Sequence, residues 1–181
     1  FFITFLSISF SASMIYFLKG NKEAFIFKNL VSEEINQITN NPENLKEINP
    51  QKIIFFLESK LRENPMDLEG WKLLARTCLM TGHIQKAEVH YTKALKYFPS
   101  NESLIYEYAV LKKNTDQLLG ALKLLKKVDI KKTKDKELIY FYFKLLKETK
   151  NSQILKKKIV ELENNKNIDY SEKKKILKNL D

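Results

Sequence analysis

The sequence has one cysteine and two histidines, side chains that often catalyse reactions or bind metals: Cys78, His83 and His90. A thiolate can act as a nucleophile beside a histidine base, and the two residue types together can hold zinc. Neither histidine has a second ligand at metal spacing, however, and Cys78 falls on an apolar helical stripe, where a lone cysteine usually fills the core. We therefore expect no catalytic residue, no metal site and no cofactor, and we interpret the chain as a binding protein rather than an enzyme.

The charge of the chain favours acidic partners. Its 181 residues carry a formal net charge of +10, with 32 Lys and Arg against 22 Asp and Glu. Such a surface suits nucleic acid, an anionic membrane or an acidic peptide. In a second interpretation the lysines only reflect a compositionally biased proteome. The single Cys rules out a disulfide within the chain, so the redox compartment cannot be inferred from cysteine usage.

The elements that would position a binding surface are indicated between Leu68 and Asn101, where apolar and small residues recur with the spacing of a tetratricopeptide repeat. One apolar stripe would lie on a first helix and a facing stripe on a second, with Gly82 in the turn between them. Small residues at facing positions would let the two helices approach closely. The residues that define this repeat core are Trp71, Leu74, Ala75, Ala87, Tyr91, Ala94 and Pro99.

The same pattern continues when it is shifted by 34 residues, the usual length of this repeat. The stripe positions stay apolar in a second and a third pair, although the glycine and proline markers are lost and residues 138–143 alone resemble a strand. Upstream, a helix starting at Pro50 with Asn49 as its cap would form half of an earlier repeat. Downstream, Ser171 is expected to cap a short terminal helix. We predict an all-α tetratricopeptide-repeat solenoid over residues 50–181, with about three degenerate repeats plus flanking helices.

The N-terminal residues predict a membrane anchor. The run up to Leu18 is uncharged and mostly apolar, and its length is at the short end of what a bilayer requires. We assign residues 1–19 as a transmembrane helix and residues 20–49 as a linker. The alternative is a cleaved signal peptide with its cleavage site at residues 11–13, but the apolar run continues past that site, which favours the anchor.

A stack of helix pairs presents a concave groove lined by the first helix of each pair. The predicted groove positions combine cations, two tyrosines and a few apolar side chains, which suit a peptide that offers carboxylates and an apolar face. A solvated face of a lysine-rich protein has the same composition. Nucleic acid is disfavoured because no recognised reading module accompanies the cations, and no small-molecule substrate is expected. The predicted peptide-binding positions are Glu69, Lys72, Arg76, Leu79, Tyr106, Val110, Lys113, Tyr140, Lys144 and Lys147.

One stretch of the chain is more specific than a generic repeat. The run from Leu57 to Thr77, with Asn-Pro-x-Asp-x-x-Gly-Trp at residues 64–71, resembles the start of the tetratricopeptide domain in the CcmI family of cytochrome c-type biogenesis proteins. Residues 16–21 are similar to the element that ends the membrane helix of that family. The resemblance is clearest from Leu57 to Pro99 and is faint beyond residue 109. Related assembly factors for nitrite reductase share much of the motif.

The resemblance implies a subunit of the haem ligation system of the bacterial inner membrane, with its repeat domain in the periplasm. Such a chaperone would bind unfolded apocytochrome c through a C-terminal helical segment and present it to other subunits of the haem lyase complex. The second hypothesis is a generic tetratricopeptide scaffold that joins proteins during envelope complex assembly. Genes for haem export and haem lyase beside this one would favour the first hypothesis.

Overall fold

A computed structural model describes residues 49–180, and all regular secondary structure in this range is helical. The strand-like run at residues 138–143 lies inside a helix. The helices of the described residues are α1 Pro50–Glu63, α2 Leu68–Met80, α3 Ile84–Tyr97, α4 Glu102–Asn114, α5 Leu118–Leu125, α6 Lys136–Glu148, α7 Ser152–Glu163 and α8 Tyr170–Lys178.

The chain divides into two compact units, one ending at His83 and the other beginning at Ile84. The predicted membrane helix at residues 1–19 lies outside the described residues, as does the predicted linker at residues 20–49 except for its last residue. Within residues 49–180, no helix combines the length and the apolar character needed to cross a membrane.

In the first unit, α1 starts at the predicted residue. The Asn49 side chain accepts the N–H of Gln51 at 2.9 Å, and Pro50 occupies the first turn, where its missing N–H leaves no helical hydrogen bond unmade. α1 packs on α2 and buries Leu57 and Leu61, which are 5% and 1% exposed. Burial of each leucine contributes about 1.5–3 kcal/mol relative to an exposed side chain.

The connection between α1 and α2 gives the Asn-Pro-x-Asp-x-x-Gly-Trp motif a structural role. Asp67 caps α2 by accepting the N–H of Gly70 at 2.8 Å, and Trp71 Nε1 donates to the Pro65 carbonyl at 2.9 Å. A Cβ atom on Gly70 would lie 2.7 Å from the Asp67 carboxylate and 3.1 Å from Leu61, so the close approach of the two helices requires glycine. The motif therefore builds the joint between the two helices.

The first helix of each pair begins after a capping residue that recurs every 34 residues: Asp67, Asn101 and Asp135. Each side chain accepts the N–H three residues further along, at 2.8, 2.9 and 2.9 Å. A cap of this kind contributes about 1 kcal/mol. Asp169 precedes α8 in the same register but makes no side-chain capping bond. The prediction that Ser171 caps this helix is wrong, since Ser171 lies within it.

The first helices also end in the same way. A threonine hydroxyl donates to the carbonyl four residues earlier, at 2.9, 3.0 and 2.7 Å, and the next residue has a positive φ: 77° at Gly82, 58° at Asp116 and 56° at Lys150. The following N–H bonds the carbonyl five residues before it at 2.8 Å in each turn, which is a Schellman motif. This turn persists in the second and third pairs without glycine. The three threonines are Thr81, Thr115 and Thr149.

In the second unit, α3 to α7 pack against their neighbours in chain order, and α8 packs on α6. α3 meets α4 through stacked rings of Tyr91 and Tyr108, whose centroids are 5.3 Å apart. The Tyr91 hydroxyl donates to Glu107 at 3.2 Å. The small Ala87 and Ala94 of α3 are completely buried.

Of the residues predicted to form the repeat core, those in helices are buried and the one in a connection is exposed. The six that lie in α2 and α3 are at most 6% exposed. Pro99 is exposed and follows α3, which ends at Tyr97, so it lies in the connection to α4. A proline there is compatible with the end of a helix because it could not continue one.

A buried amide joins two connections of the second unit. Asn165, 1% exposed, donates from Nδ2 to the carbonyls of Ile130 and Thr133 at 2.7 and 2.8 Å, and its Oδ1 accepts the N–H of Asn167 at 2.7 Å. The Thr133 hydroxyl donates to Glu102 at 2.6 Å. This polar joint fastens the α5–α6 connection to the α7–α8 connection.

Candidate functional site

The predicted groove positions of the first unit all lie on α2, but they differ in accessibility. Lys72 Nζ pairs with Glu69 at 3.2 Å, and the Lys72 side chain is only 11% exposed, whereas that of Glu69 is 74% exposed. Arg76 is exposed and Leu79 is half-buried. Glu69 and Arg76 are therefore the polar groups of α2 that a partner could reach most easily.

In the second unit, an aromatic pair connects α4 and α6. The rings of Tyr106 and Phe141 pack edge to face, with centroids 5.5 Å apart and an interplanar angle of 87°. Both side chains are half-buried. Burial raises the pKa of Tyr106 above its usual range, and the carboxylates of Glu137 and Asp135 raise it further. Sequence reasoning missed Phe141, because no spacing rule shows which residue of α6 will meet Tyr106.

Lys113 lies beside this pair and is compensated within the unit. Its Nζ is 2.8 Å from Glu148 Oε2 and 6.0 Å from the centroid of the Phe141 ring. A partner carboxylate would therefore have to compete with Glu148 for this cation. Lys144, one turn along α6 from Phe141, is exposed and provides a more accessible positive charge.

The remaining two predicted positions of α6 are bonded to the end of α8. The Tyr140 hydroxyl donates to the Asn179 carbonyl at 3.4 Å, and Lys147 Nζ donates to the Leu180 carbonyl. The C-terminal helix thus contacts the same side of α6 that the sequence assigns to a ligand. Sequence reasoning missed this contact because the apolar and charged pattern of α8 does not show which helix it will meet.

Five side chains of the second unit form one surface, which we call the α4–α6 face: Tyr106, Val110, Lys113, Phe141 and Lys144. The first three recur at helical spacing along α4, and the last two lie one turn apart on α6. The centre of this surface is aromatic and aliphatic, with one compensated and one exposed lysine at its edge. Such a surface can bind the apolar side of a peptide and pair with a carboxylate on it.

The residues that first suggested chemistry are placed differently. Cys78 is completely buried on α2, and His90 is 4% exposed on α3. His83 is half-buried, with its Nε2 2.6 Å from the side-chain nitrogen of Gln51. Among residues 49–180, no group of three His, Cys, Asp or Glu side chains is arranged to hold a metal ion.

Comparisons with known proteins address the fold. No protein-family model matches the sequence, and no curated protein sequence matches it. A crystal structure of MamA protein, a tetratricopeptide-repeat protein, superposes with a TM-score of 0.52 at 11% identity over 75% of this chain and 71% of that chain. A second crystal structure of MamA gives 0.52 at 14% identity over 76% and 82%. The MamA RS-1 ArsTM double mutant gives 0.51 at 15% identity over 87% and 92%.

The described residues have a tetratricopeptide-like, all-helical fold. This part of the prediction from repeat spacing is confirmed. At 11–15% identity the likeness to MamA concerns the fold alone. The more specific likeness to the CcmI family rests on the sequence motif and belongs with the proposals that follow.

Proposed function

We propose that the chain is a protein-binding scaffold that holds a helical segment of a partner on the α4–α6 face. The observation that carries this proposal is the half-buried Tyr106–Phe141 pair with the exposed Lys144 beside it. Aromatic side chains provide large contact areas with few rotatable bonds, and they dominate many protein interfaces. The scaffold binds its partner without changing it chemically.

The arrangement of charge suggests the chemistry of the ligand. Because Glu148 already compensates Lys113, the electrostatic preference of the face depends mainly on Lys144. A fitting ligand is an amphipathic helix whose apolar side covers the aromatic pair and whose carboxylate lies at the Lys144 edge. The net charge of +10 would increase the association rate of such acidic segments.

For the natural partner we propose apocytochrome c, bound through a C-terminal helical segment for delivery to the haem ligation complex. The support is the resemblance of residues 57–77 to the CcmI family. In the structure, the most specific part of that run makes the joint between α1 and α2 through Gly70 and Trp71. The motif thus supports the proposal only through its resemblance to the family. Its residues hold α1 and α2 together and are not proposed to contact the ligand.

The binding test uses the full chain in detergent micelles and a fluorescent peptide with the sequence of a C-terminal apocytochrome c helix. We expect saturable binding by fluorescence anisotropy, about fivefold weaker for Lys144→Glu and about tenfold weaker for Tyr106→Ala, on the scale of exposed charge pairs and interface aromatics. Lys123→Glu makes the same charge change at an exposed site on α5 and serves as the matched control. Lys72→Glu is a poorer test because the Lys72 side chain is only 11% exposed, so the change would also disturb its surroundings on α2.

Three outcomes distinguish the proposed binding surface, the α4–α6 face, from the proposed partner, apocytochrome c. Binding that Lys144→Glu weakens and Lys123→Glu leaves unchanged supports the α4–α6 face. Equal binding of an unrelated acidic amphipathic helix would remove the cytochrome assignment and leave a general scaffold. Failure to bind any helical peptide, with all variants folded by circular dichroism, would overturn both.

The proposed location is the inner membrane, with the repeat domain in the periplasm and residues 1–19 as the anchor. We expect the protein to stay in the pellet after alkaline carbonate extraction of membranes. Protease added to spheroplasts should then digest the repeat domain. Protection of that domain in intact spheroplasts, with digestion only after lysis, would contradict the periplasmic assignment.

A further inference from the structure

A cleft of about 950 Å³ opens between α7 and α8 in the second unit. Leu155 and Ile159 of α7 and Leu177 of α8 form its apolar floor. Lys174 and Lys178 of α8 contribute to its rim. The cleft therefore combines an apolar floor with a basic edge, and none of these residues belongs to the α4–α6 face.

The apolar floor occupies repeat positions that are fully covered elsewhere in the unit. Leu155 and Ile159 are each shifted by two repeat lengths from Ala87 and Tyr91. Ala87 and Tyr91 of α3 are 0% and 1% exposed. α3 packs on α4, with Tyr108 stacked on Tyr91. Leu155 and Ile159 are only half-buried. The helix that should cover them does not close over α7.

The sequence of α8 explains why this helix does not cover Leu155 and Ile159. Two of its positions, Glu172 and Lys173, correspond to Leu104 and Ile105 of α4, which are buried. Burial of two charged side chains at those positions would cost several kcal/mol per ion without compensating bonds. Instead, Glu172 pairs with Lys136 of α6 at 3.3 Å. α8 is thus held against α6, and the floor of the cleft remains uncovered.

The Lys173 side chain holds the other edge of the cleft. Its Nζ donates to the carbonyl of Glu163 at the end of α7, at 2.9 Å. By contrast, Lys174 and Lys178 pair with no carboxylate among residues 49–180. Two accessible positive charges therefore remain beside the apolar floor.

We propose that the α7–α8 cleft is a second docking site that takes an acidic amphipathic helix from another protein. The helix would supply the covering that α8 does not give to Leu155 and Ile159, and its carboxylates would face Lys174 and Lys178. α7 has 12 residues, so it offers a floor about 18 Å long, which suits an occupant of about three turns. A second copy of the chain is a poor occupant, because its net charge of +10 opposes a basic cleft. The site is separate from the α4–α6 face and does not depend on the proposed function.

The test uses the full chain and a synthetic peptide with leucines at helical spacing on one side and glutamates on the other. We expect saturable binding by fluorescence anisotropy that weakens as salt is raised, since the rim charges are exposed. Leu177→Asp should weaken binding at least tenfold, because it places a charge on the apolar floor. Lys174→Glu combined with Lys178→Glu should weaken it about five- to tenfold.

Matched control variants are available on α7 at exposed positions that do not line the cleft. Lys156→Glu with Lys157→Glu repeats the charge change at exposed sites of α7 outside the cleft, and Val160→Asp repeats the apolar-to-acidic change at an exposed site. Both controls should leave binding within about twofold of the unchanged chain. Because Cys78 is the single Cys and is buried, Lys174→Cys also allows selective attachment of a photocrosslinker.

The outcomes decide the proposal in either direction. Crosslinking of Lys174→Cys to the peptide, together with the expected losses and unchanged controls, supports the cleft. Equal losses in the cleft variants and the controls, or no binding by the folded chain, would overturn it. Crosslinks to residues 1–48 of the same chain, or a dimer that Leu177→Asp dissolves, would assign the cleft to another occupant and also overturn it.

Discussion

The joint before α2 and the joint before α6 occupy the same place in the repeat but use different chemistry. Pro65 and Thr133 are separated by two repeat lengths. At the first joint, the carbonyl of Pro65 accepts the indole N–H of Trp71, and Gly70 lets α1 and α2 approach. At the second, Thr133 bonds Glu102 and receives the buried amide of Asn165. A backbone position can thus persist after the residues typical of it are lost, provided that new hydrogen bonds hold the chain there.

The difference also concerns how far apart the bonded residues lie in the chain. The first joint is local, because Trp71 and Pro65 are six residues apart. The second depends on Asn165, which lies 32 residues beyond Thr133. The second joint should therefore form later in folding, after the α7–α8 connection has reached the α5–α6 connection.

Asn165→Ala should have the largest effect, because it removes the buried amide from the second joint. The carbonyls of Ile130 and Thr133 would lose their partner in a site closed to water, at a cost of about 3 kcal/mol. Urea unfolding followed by circular dichroism measures this loss. Asn114→Ala, at an exposed position, should change the free energy of unfolding by less than about 0.5 kcal/mol. Equal effects of the two variants would contradict the proposed importance of the polar joint.

Gly70→Ala tests the first joint. The added Cβ would lie 2.7 Å from the Asp67 side chain, so the cap or the helix approach must shift, and we expect a net loss of about 1–2 kcal/mol. Gly120→Ala is the matched control. Its Cβ would lie 3.4 Å from the flexible Lys112 side chain and 3.8 Å from Gln117 Cβ, which are ordinary contacts. Alanine also favours the helix, so a gain of about 0.5–1 kcal/mol is expected. A stabilised Gly70→Ala variant would show that α1 and α2 do not require this close approach.

The Schellman turns offer a smaller test with opposite signs. Lys150→Gly should stabilise the protein by about 1 kcal/mol, because lysine is strained at a φ of 56°. Gly82→Ala should destabilise it by about 1 kcal/mol for the same reason, since its φ is 77° and no neighbouring atom would contact the new Cβ. Thermal unfolding of the two variants measures both changes. A shift in the same direction for both would mean that backbone strain does not decide these turns.

The smallest expected effect is a pH dependence at α8. Hydrogen bonds from Lys175 and Lys136 lower the pKa of Glu172. Because the folded-state pKa is the lower one, the contribution of Glu172 to stability is present above its unfolded pKa and is lost as the pH falls through the folded value. A carboxyl NMR titration should place its midpoint below that of a free glutamate. Lys136→Met should raise that midpoint, whereas Lys174→Met should not. An unchanged midpoint in Lys136→Met would contradict the attachment of α8 to α6.

The part of the fold that repeats could be predicted from the sequence. The spacing of Trp71, Leu74, Ala87 and Tyr91 predicts two helices and their apolar stripes, and all four residues are buried in helices. Asn49 followed by Pro50 predicts the start of α1, which is where it begins. These predictions succeed because they depend on contacts within one or two helical turns.

Contacts between distant residues could not be predicted in the same way. Nothing near Asn165 in the sequence identifies Ile130 and Thr133 as its partners, and nothing near Phe141 indicates Tyr106. One sequence signal was available but unused: the recurrence of Asp67, Asn101 and Asp135 at the repeat length. Continued by one more repeat length, this recurrence predicts that α8 starts after Asp169, as it does, and not at Ser171.

The regular spacing of the helix caps has a consequence for the length of the array. Removing residues 102–135 would join Asn101 directly to Lys136, and Asn101 would then stand three residues before Leu138, as Asp135 does now. The N-terminal cap of α6 would survive the deletion, with the Asn101 side chain replacing Asp135 as the acceptor of the Leu138 N–H. A chain built in this way can gain or lose whole helix pairs by in-frame recombination, because a capping residue is already present at each junction.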